Sequence, residues 1–205
     1  MAISDTDTTY VHRLKAGEPG SPLLVVLHGT GGDENQFFRL GAELMPHATI
    51  LSPRGDVSEH GAARFFRRTG EGVYDMVDLA RATAKLAALV RSVASDHAAS
   101  EVIGLGYSNG ANILANVMFE EGDLFDRAVL MHPLIPFAPK DNPALAGRRV
   151  LITAGEHDPI CPAPLTRGLA DHFTRQGASV TLEWHPGGHE LRQNEIAATQ
   201  AFLAA

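Results

Sequence analysis

The stretch VIGLGYSNGA, residues 102–111, decides how the rest of the chain is read. Residues 106–110 fit G-x-S-x-G, a serine held in the sharp turn between a strand and a helix. Twenty glycines in the chain make the pattern easy to meet by chance, and glycines around a serine also describe an ordinary loop. Context separates the two readings. Residues 102–105 form an apolar run with strand character, and residues 111–119 (ANILANVMF) are mostly apolar, as a buried helix would be. Gly106 and Gly110 then stand where a strained turn and a close helix–strand approach require the absence of a side chain.

Comparable runs occur at residues 23–27 (LLVVL), 49–51, 128–131, 150–153 and 180–184, each followed by Gly, Pro, His or acidic residues. Short uninterrupted apolar runs are the pattern of strands buried on both faces, as in a parallel sheet. Helices are predicted over residues 76–94, 109–119, 164–176 and 191–203, the third with proline in its first turn. Strand and helix alternating in this way predict an α/β fold, a mostly parallel doubly wound sheet flanked by helices on both faces. A length of 205 residues suits one such domain over residues 1–205, and no repeat or linker divides it.

Hydrophobic residues at 44% and charged residues at 20% are ordinary for a globular chain. The net charge of −7 is scattered, and the only basic cluster is the segment from Arg64 to Arg68, so nucleic acid is not an expected partner. The polar start MAISDTDTTY and the lack of a membrane-length apolar run predict a cytoplasmic protein without membrane contact. Cys161 is the single cysteine and has no partner for an internal disulfide.

In doubly wound sheets, ligands bind beyond the carboxyl ends of the strands, so the residues just after each run are the candidates for chemistry. A serine hydroxyl needs a base in reach and a third group to orient it. His189 in PGGH follows the last strand, and Asp158 in DPICP follows the one before, giving the chain order Ser108, Asp158, His189. His157, His185, Glu156 and Glu190 compete by proximity, but Asp158 opens a proline-held loop and His189 sits in a glycine loop able to turn back toward the serine. His12, His47, His60, His97 and His172 lie away from the strand ends and read as packing or surface residues. Cys161 reads as a small apolar filler. Attack on a carbonyl also requires donors for the developing oxyanion. The N–H of Asn109, at a helix N-terminus, and that of Thr30, in the glycine-rich HGTGG loop, are the expected pair. The same loop could cradle a phosphate, but it lacks G-x-G-x-x-G and the Gly-Lys-Ser/Thr ending. No HExxH-like pair supports a metal site, and neither metal nor cofactor is expected.

On LLVVLHGTGGDEN from Leu23, FFRR from Phe65, GLGYSNGANI from Gly104, GEHDPICP from Gly155 and PGGHE from Pro186, the chain resembles the α/β-hydrolases over nearly its full length. Within them it is similar to the small bacterial carboxylesterases of the phospholipase/carboxylesterase family, relatives of acyl-protein thioesterases and dienelactone hydrolases. The resemblance implies Ser108 as nucleophile, His189 as base, Asp158 as its orienting acid, and Thr30 and Asn109 as oxyanion donors. It also implies an antiparallel edge strand near residues 10–14, no substantial lid, and a homodimer as the form to look for. Relatives commonly carry a small residue where this chain has His132, which raises the expectation of a narrowed or polarised pocket set against that of a packed strand-end histidine. Phe65, Phe66, Leu134 and Ile160 are the candidate acyl or alcohol pocket, set against the more ordinary reading as core residues, and Arg64, Arg67 and Arg68 the candidate attractors of an acidic substrate, set against the more ordinary reading as surface charge. The expected activity is hydrolysis of a small-molecule carboxylic ester, with thioesters included, through an acyl-enzyme on Ser108. An acyltransferase using the same residues and a non-catalytic binder on the same fold are the alternatives.

Overall fold

The computed structural model describes residues 10–205, so the polar stretch at residues 1–9 lies outside the described residues. Among the described residues, seven strands form the central sheet: β1 (His12–Lys15), β2 (Leu23–Leu27), β3 (Thr49–Pro53), β8 (Val102–Tyr107), β9 (Arg127–Met131), β10 (Arg149–Gly155) and β11 (Ser179–His185). Their spatial order is β1-β3-β2-β8-β9-β10-β11; β1 runs antiparallel to β3 and every other pairing is parallel. Two small hairpins, β4 (Val57–Glu59) with β5 (Ala62–Arg64) and β6 (Arg68–Gly70) with β7 (Val73–Tyr74), fill the segment after β3.

Alternation along each strand explains the two cores. Leu23, Val25 and Leu27 face one apolar cluster together with α2 (Met76–Asp96), α3 (Asn109–Glu120) and α4 (Ala163–Arg175). Leu24 and Val26 face the other, with α1 (Phe38–Leu44) and α5 (Gln193–Ala204). The sheet is thus covered on both sides, and each fully buried Leu, Val or Ile contributes about 1.5–3 kcal/mol. In β8 the pattern carries a second message: Ile103 and Leu105 face the α1/α5 side, whereas Gly104 and Gly106 alternate toward α3. A Cβ on Gly104 would lie 2.5 Å from Leu114 Cδ1, and one on Gly106 2.5 Å from the Gly110 carbonyl oxygen. Those two glycines let the helix lie directly on the central strand. Asp75 starts α2 by accepting the N–H groups of Val77 and Asp78.

The expected strands and four expected helices are all present, with no end shifted by more than two residues. The short helix α1 and both hairpins have no counterpart in the sequence reading. No helix of the described residues is long and apolar enough to cross a membrane.

Candidate active site

Ser108 occupies the single-residue turn between β8 and α3, with φ 51° and ψ −115°. That conformation is unfavourable for a residue with a Cβ and costs about 1–3 kcal/mol, held here by the surrounding bonds. The Ser108 N–H donates to the Met131 carbonyl at 2.8 Å, and its own carbonyl accepts the Asn112 N–H at 2.9 Å. The turn therefore lifts the hydroxyl above the sheet while the backbone enters the helix.

His189 reaches back from the loop after β11. Its Nε2 is 2.9 Å from Ser108 Oγ, and its Nδ1 is 2.7 Å from Asp158 Oδ2. The Tyr107 hydroxyl donates to the His189 carbonyl at 2.7 Å, and the two rings lie 5.4 Å apart, so the loop and the imidazole are both fixed. Asp158 is buried at the start of its loop, where Oδ1 accepts the N–H groups of Ile160 and Cys161 at 2.8 and 2.9 Å. Burial raises its carboxyl, but the Cys161 N–H, the two histidines and the Ile160 N–H outweigh it and hold Asp158 below the usual carboxylate range.

The loop from His28 to Gly32 faces Ser108 from the end of β2. His28 is buried, which pushes its titration down; its Nδ1 lies 2.7 Å from the Gly29 carbonyl and its Nε2 accepts the Gly55 N–H at 2.9 Å. Gln36 accepts the Gly29 N–H at 2.9 Å, and Gly31 adopts φ 81°. Thr30 and Asn109 both line the cleft at Ser108, and among the described residues no hydrogen bond engages their backbone N–H groups. The Asn109 side chain instead accepts the Phe65 N–H at 2.8 Å, tying the start of α3 to the segment after β5.

The cleft above Ser108 holds about 310 Å³ and is bordered by Leu134, Ile160, Tyr74, Arg64 and Arg68. The tip of the β6–β7 hairpin, at Glu71 and Gly72, forms part of its rim, and no large lid covers it among the described residues. Leu134 and Ile160 are thus where a pocket role requires them. Phe65 and Phe66 are not: both are wholly buried in the core and present no surface to a ligand. Hydrophobic character alone does not distinguish a core aromatic from a pocket one.

Arg64 is buried, donates to Thr30 Oγ1 at 2.7 Å and pairs with Glu59, which Arg68 also meets. Arg67 points away to Asp78. His132, expected to narrow or polarise the pocket or else to pack at the strand end, is fully buried and does not line the cleft; it stands behind Asp158, with Nδ1 2.8 Å from Oδ2. Cys161 forms part of the cleft wall, and burial pushes its thiol far up, so it stays a protonated donor to the His132 carbonyl. Of the competing residues, His157 and Glu156 are exposed, Glu190 turns to Arg192, and His185 is buried behind the site.

Comparison with known proteins agrees with this architecture. MhqD of Bacillus subtilis strain 168, named as a hydrolase, is 41% identical over 175 residues, which cover 84% of this chain and 88% of its own. The crystal structure of Atu2452 from Agrobacterium tumefaciens, itself of unknown function, is 65% identical with a TM-score of 0.93, covering 97% of each chain. The Bacillus cereus carboxylesterase superposes with a TM-score of 0.90 at 34% identity, covering 97% of this chain and 95% of that one. Residues 59–198 match the model of the dienelactone hydrolase family. The chain therefore belongs to the dienelactone hydrolase family and is a hydrolase on the α/β-hydrolase fold.

Proposed function

We propose that this protein hydrolyses carboxylic esters with small acyl groups through an acyl-enzyme on Ser108. The observation that carries the reading is the unbroken relay from Ser108 Oγ through His189 to Asp158, at 2.9 and 2.7 Å, opening on the cleft. The solved Bacillus cereus carboxylesterase, similar over almost the whole chain, adds support.

In the proposed reaction, Ser108 Oγ attacks the ester carbonyl as His189 Nε2 takes the hydroxyl proton. The tetrahedral oxyanion is received by the N–H groups of Thr30 and Asn109, each worth about 3–4 kcal/mol in barrier. Collapse expels the alcohol, which leaves with the proton from His189, and Ser108 keeps the acyl group. Water, deprotonated by His189, attacks the acyl-enzyme, and the carboxylic acid is released as the proton returns to Ser108. A thioester substrate uses the same steps with a thiol as leaving group, and transfer to an alcohol differs only in the acceptor; competing acceptors and product analysis separate these.

An active-site-directed fluorophosphonate should label the wild-type chain at Ser108, shown by peptide mass analysis, and His189→Asn should slow labelling by about 10²-fold or more. Absence of labelling, or labelling elsewhere, overturns the assignment and favours a non-catalytic binder. A cleft of about 310 Å³ is small for a long acyl chain. Among p-nitrophenyl esters, acetate and butyrate are expected to exceed palmitate in kcat/KM by about tenfold or more, each tenfold step equal to about 1.4 kcal/mol of transition-state binding.

A further inference from the structure

Behind Asp158, away from the cleft, the protein buries a second ionisable cluster that the Ser108 relay does not use. His132 follows the end of β9 with φ 52°; its N–H donates to the Thr153 carbonyl at 2.8 Å and its carbonyl accepts the Cys161 thiol at 3.2 Å. Those two bonds fix an unfavourable backbone conformation, and with it the direction of the ring. Nδ1 lies 2.8 Å from Asp158 Oδ2, the same oxygen that His189 approaches. Nε2 lies 3.1 Å from Glu195 Oε1. Nε2 also lies 3.4 Å from His185 Nε2, but a ring hydrogen-bonded to one carboxylate at Nδ1 and at ion-pair distance from a second at Nε2 is best satisfied with a proton on each nitrogen, and an imidazole that carries both is a cation.

Glu195 is built to hold its end. It comes from the first turn of α5, is fully buried, and accepts from Thr153 Oγ1 at 2.6 Å and from the Arg192 N–H at 2.7 Å. His185 completes the cluster, with Nε2 3.4 Å from His132 Nε2 and 3.2 Å from Glu195 Oε2, and its Nδ1 buried without a partner. As a neutral ring with the proton on Nε2, His185 leaves only a bare acceptor unpaired. A metal ion held by His132, His185 and Glu195 would force that proton onto Nδ1 and strand a buried donor. The ion-paired reading fits the polar atoms better.

The charge count gives the cluster a purpose. Asp158 and Glu195 contribute two buried negative charges, His132 one positive, and His189 becomes positive only when it takes the Ser108 proton. Without a cation at His132, the resting site would bury two uncompensated carboxylates, a strong pull for a proton onto His189 before substrate arrives. With it, the cluster carries one net negative charge at rest and reaches neutrality as His189 is protonated.

We propose that His132 is a positioning residue, an imidazolium clamped between Asp158 and Glu195 that fixes the orienting carboxylate and offsets its charge so that His189 stays free to accept the Ser108 proton. Burial alone would lower the titration of His132, but the hydrogen bonds and charges of Glu195 and Asp158 outweigh it and raise it. Glu195 is held below the usual carboxylate range, burial being overcome by His132, Thr153 and the Arg192 N–H. The groups facing the ring are Asp158 and Thr153 from β10 and the loop after it, Glu195 from α5, His185 from β11, His189 from the loop after that, and Tyr107 from the end of β8.

The proposal rests on the esterase reading, and its test separates the two. Long-range nitrogen–proton correlation spectra of the wild-type chain at about pH 8 should show both ring nitrogens of His132 protonated, where an unperturbed histidine is neutral. Glu195→Gln should remove that signature. His132→Gln should move the acid limb of the kcat/KM profile upward by about one pH unit, a loss of about tenfold at about pH 6 beyond any uniform change. A role in folding alone would lower the whole profile without displacing the limb. A neutral His132 in a wild-type chain that still labels at Ser108, or an unmoved limb in folded His132→Gln, overturns this proposal and leaves the esterase reading standing. If His132→Gln does not fold, the wild-type ring spectrum decides. Failure of Ser108 to label overturns the esterase reading instead.

Discussion

Ser108→Ala is expected to lower kcat for a short-acyl ester by about 10⁴-fold or more and to leave the melting temperature close to that of the wild type. The loss follows from removing the only atom of the relay able to bond to the acyl carbon. The retained stability follows from what the hydroxyl does in the fold: its bond is to His189 at the cleft, while the bonds that hold the turn are made by the Ser108 backbone N–H and carbonyl. Alanine keeps the Cβ and therefore keeps the strain at φ 51°. Ser108→Gly removes it, and the relief of about 1–3 kcal/mol exceeds or matches the 0.5–1 kcal/mol cost of a freer unfolded chain. The glycine variant should therefore be at least as stable as the alanine one and equally inactive. Steady-state kinetics with thermal unfolding of all three chains checks both parts. Residual activity above about a hundredth of the wild type in Ser108→Ala would mean that the nucleophile lies elsewhere.

The parts of this site readable in the sequence are those fixed by where a strand ends. Continuous apolar runs locate the strands because a sheet covered on both faces leaves no polar alternation, and the residues after each run then fall at one edge by topology. Ser108, Asp158, His189, Thr30 and Asn109 all come together at that edge. The misplaced residues fail for a different reason. Phe65 and Phe66 have the composition of a pocket, but the fold turns them into the core, a distinction that side-chain chemistry does not encode. Glu195 was invisible because it lies in an otherwise unremarkable helix, where an acid in the first turn is explained by the helix dipole. Its real environment, a buried carboxylate between two histidines, is assembled from β9, β11 and α5 and is written in no local pattern. The short α1 and the hairpins escaped because seven residues or fewer carry too little periodicity to stand out.

Gly110→Ala is expected to destabilise the protein by about 2–4 kcal/mol and to reduce kcat by about 10²-fold or more, although alanine is the better helix former by about 1 kcal/mol. Gly110 is the second residue of α3, where the helix touches the end of β2: an added Cβ would lie 2.6 Å from the His28 carbonyl oxygen and still closer to that of Leu27. Both obstacles are backbone atoms. β2 is paired on both sides, to β3 and to β8, so the strand cannot give way, and the helix end must move instead. That movement carries the Asn109 N–H away from Ser108 and pushes on the loop that presents Thr30, so stability and the proposed oxyanion site fail together. Gly168→Ala supplies the opposite sign. That glycine sits in α4 with exposed surroundings and nothing within 4 Å of an added Cβ, so the same methyl group should stabilise by about 0.5–1 kcal/mol and leave kcat unchanged. Urea unfolding of the two variants beside the wild type tests the contrast. Equal effects at the two positions would show that helix propensity governs both, and that the close approach of α3 to β2 does not constrain the site.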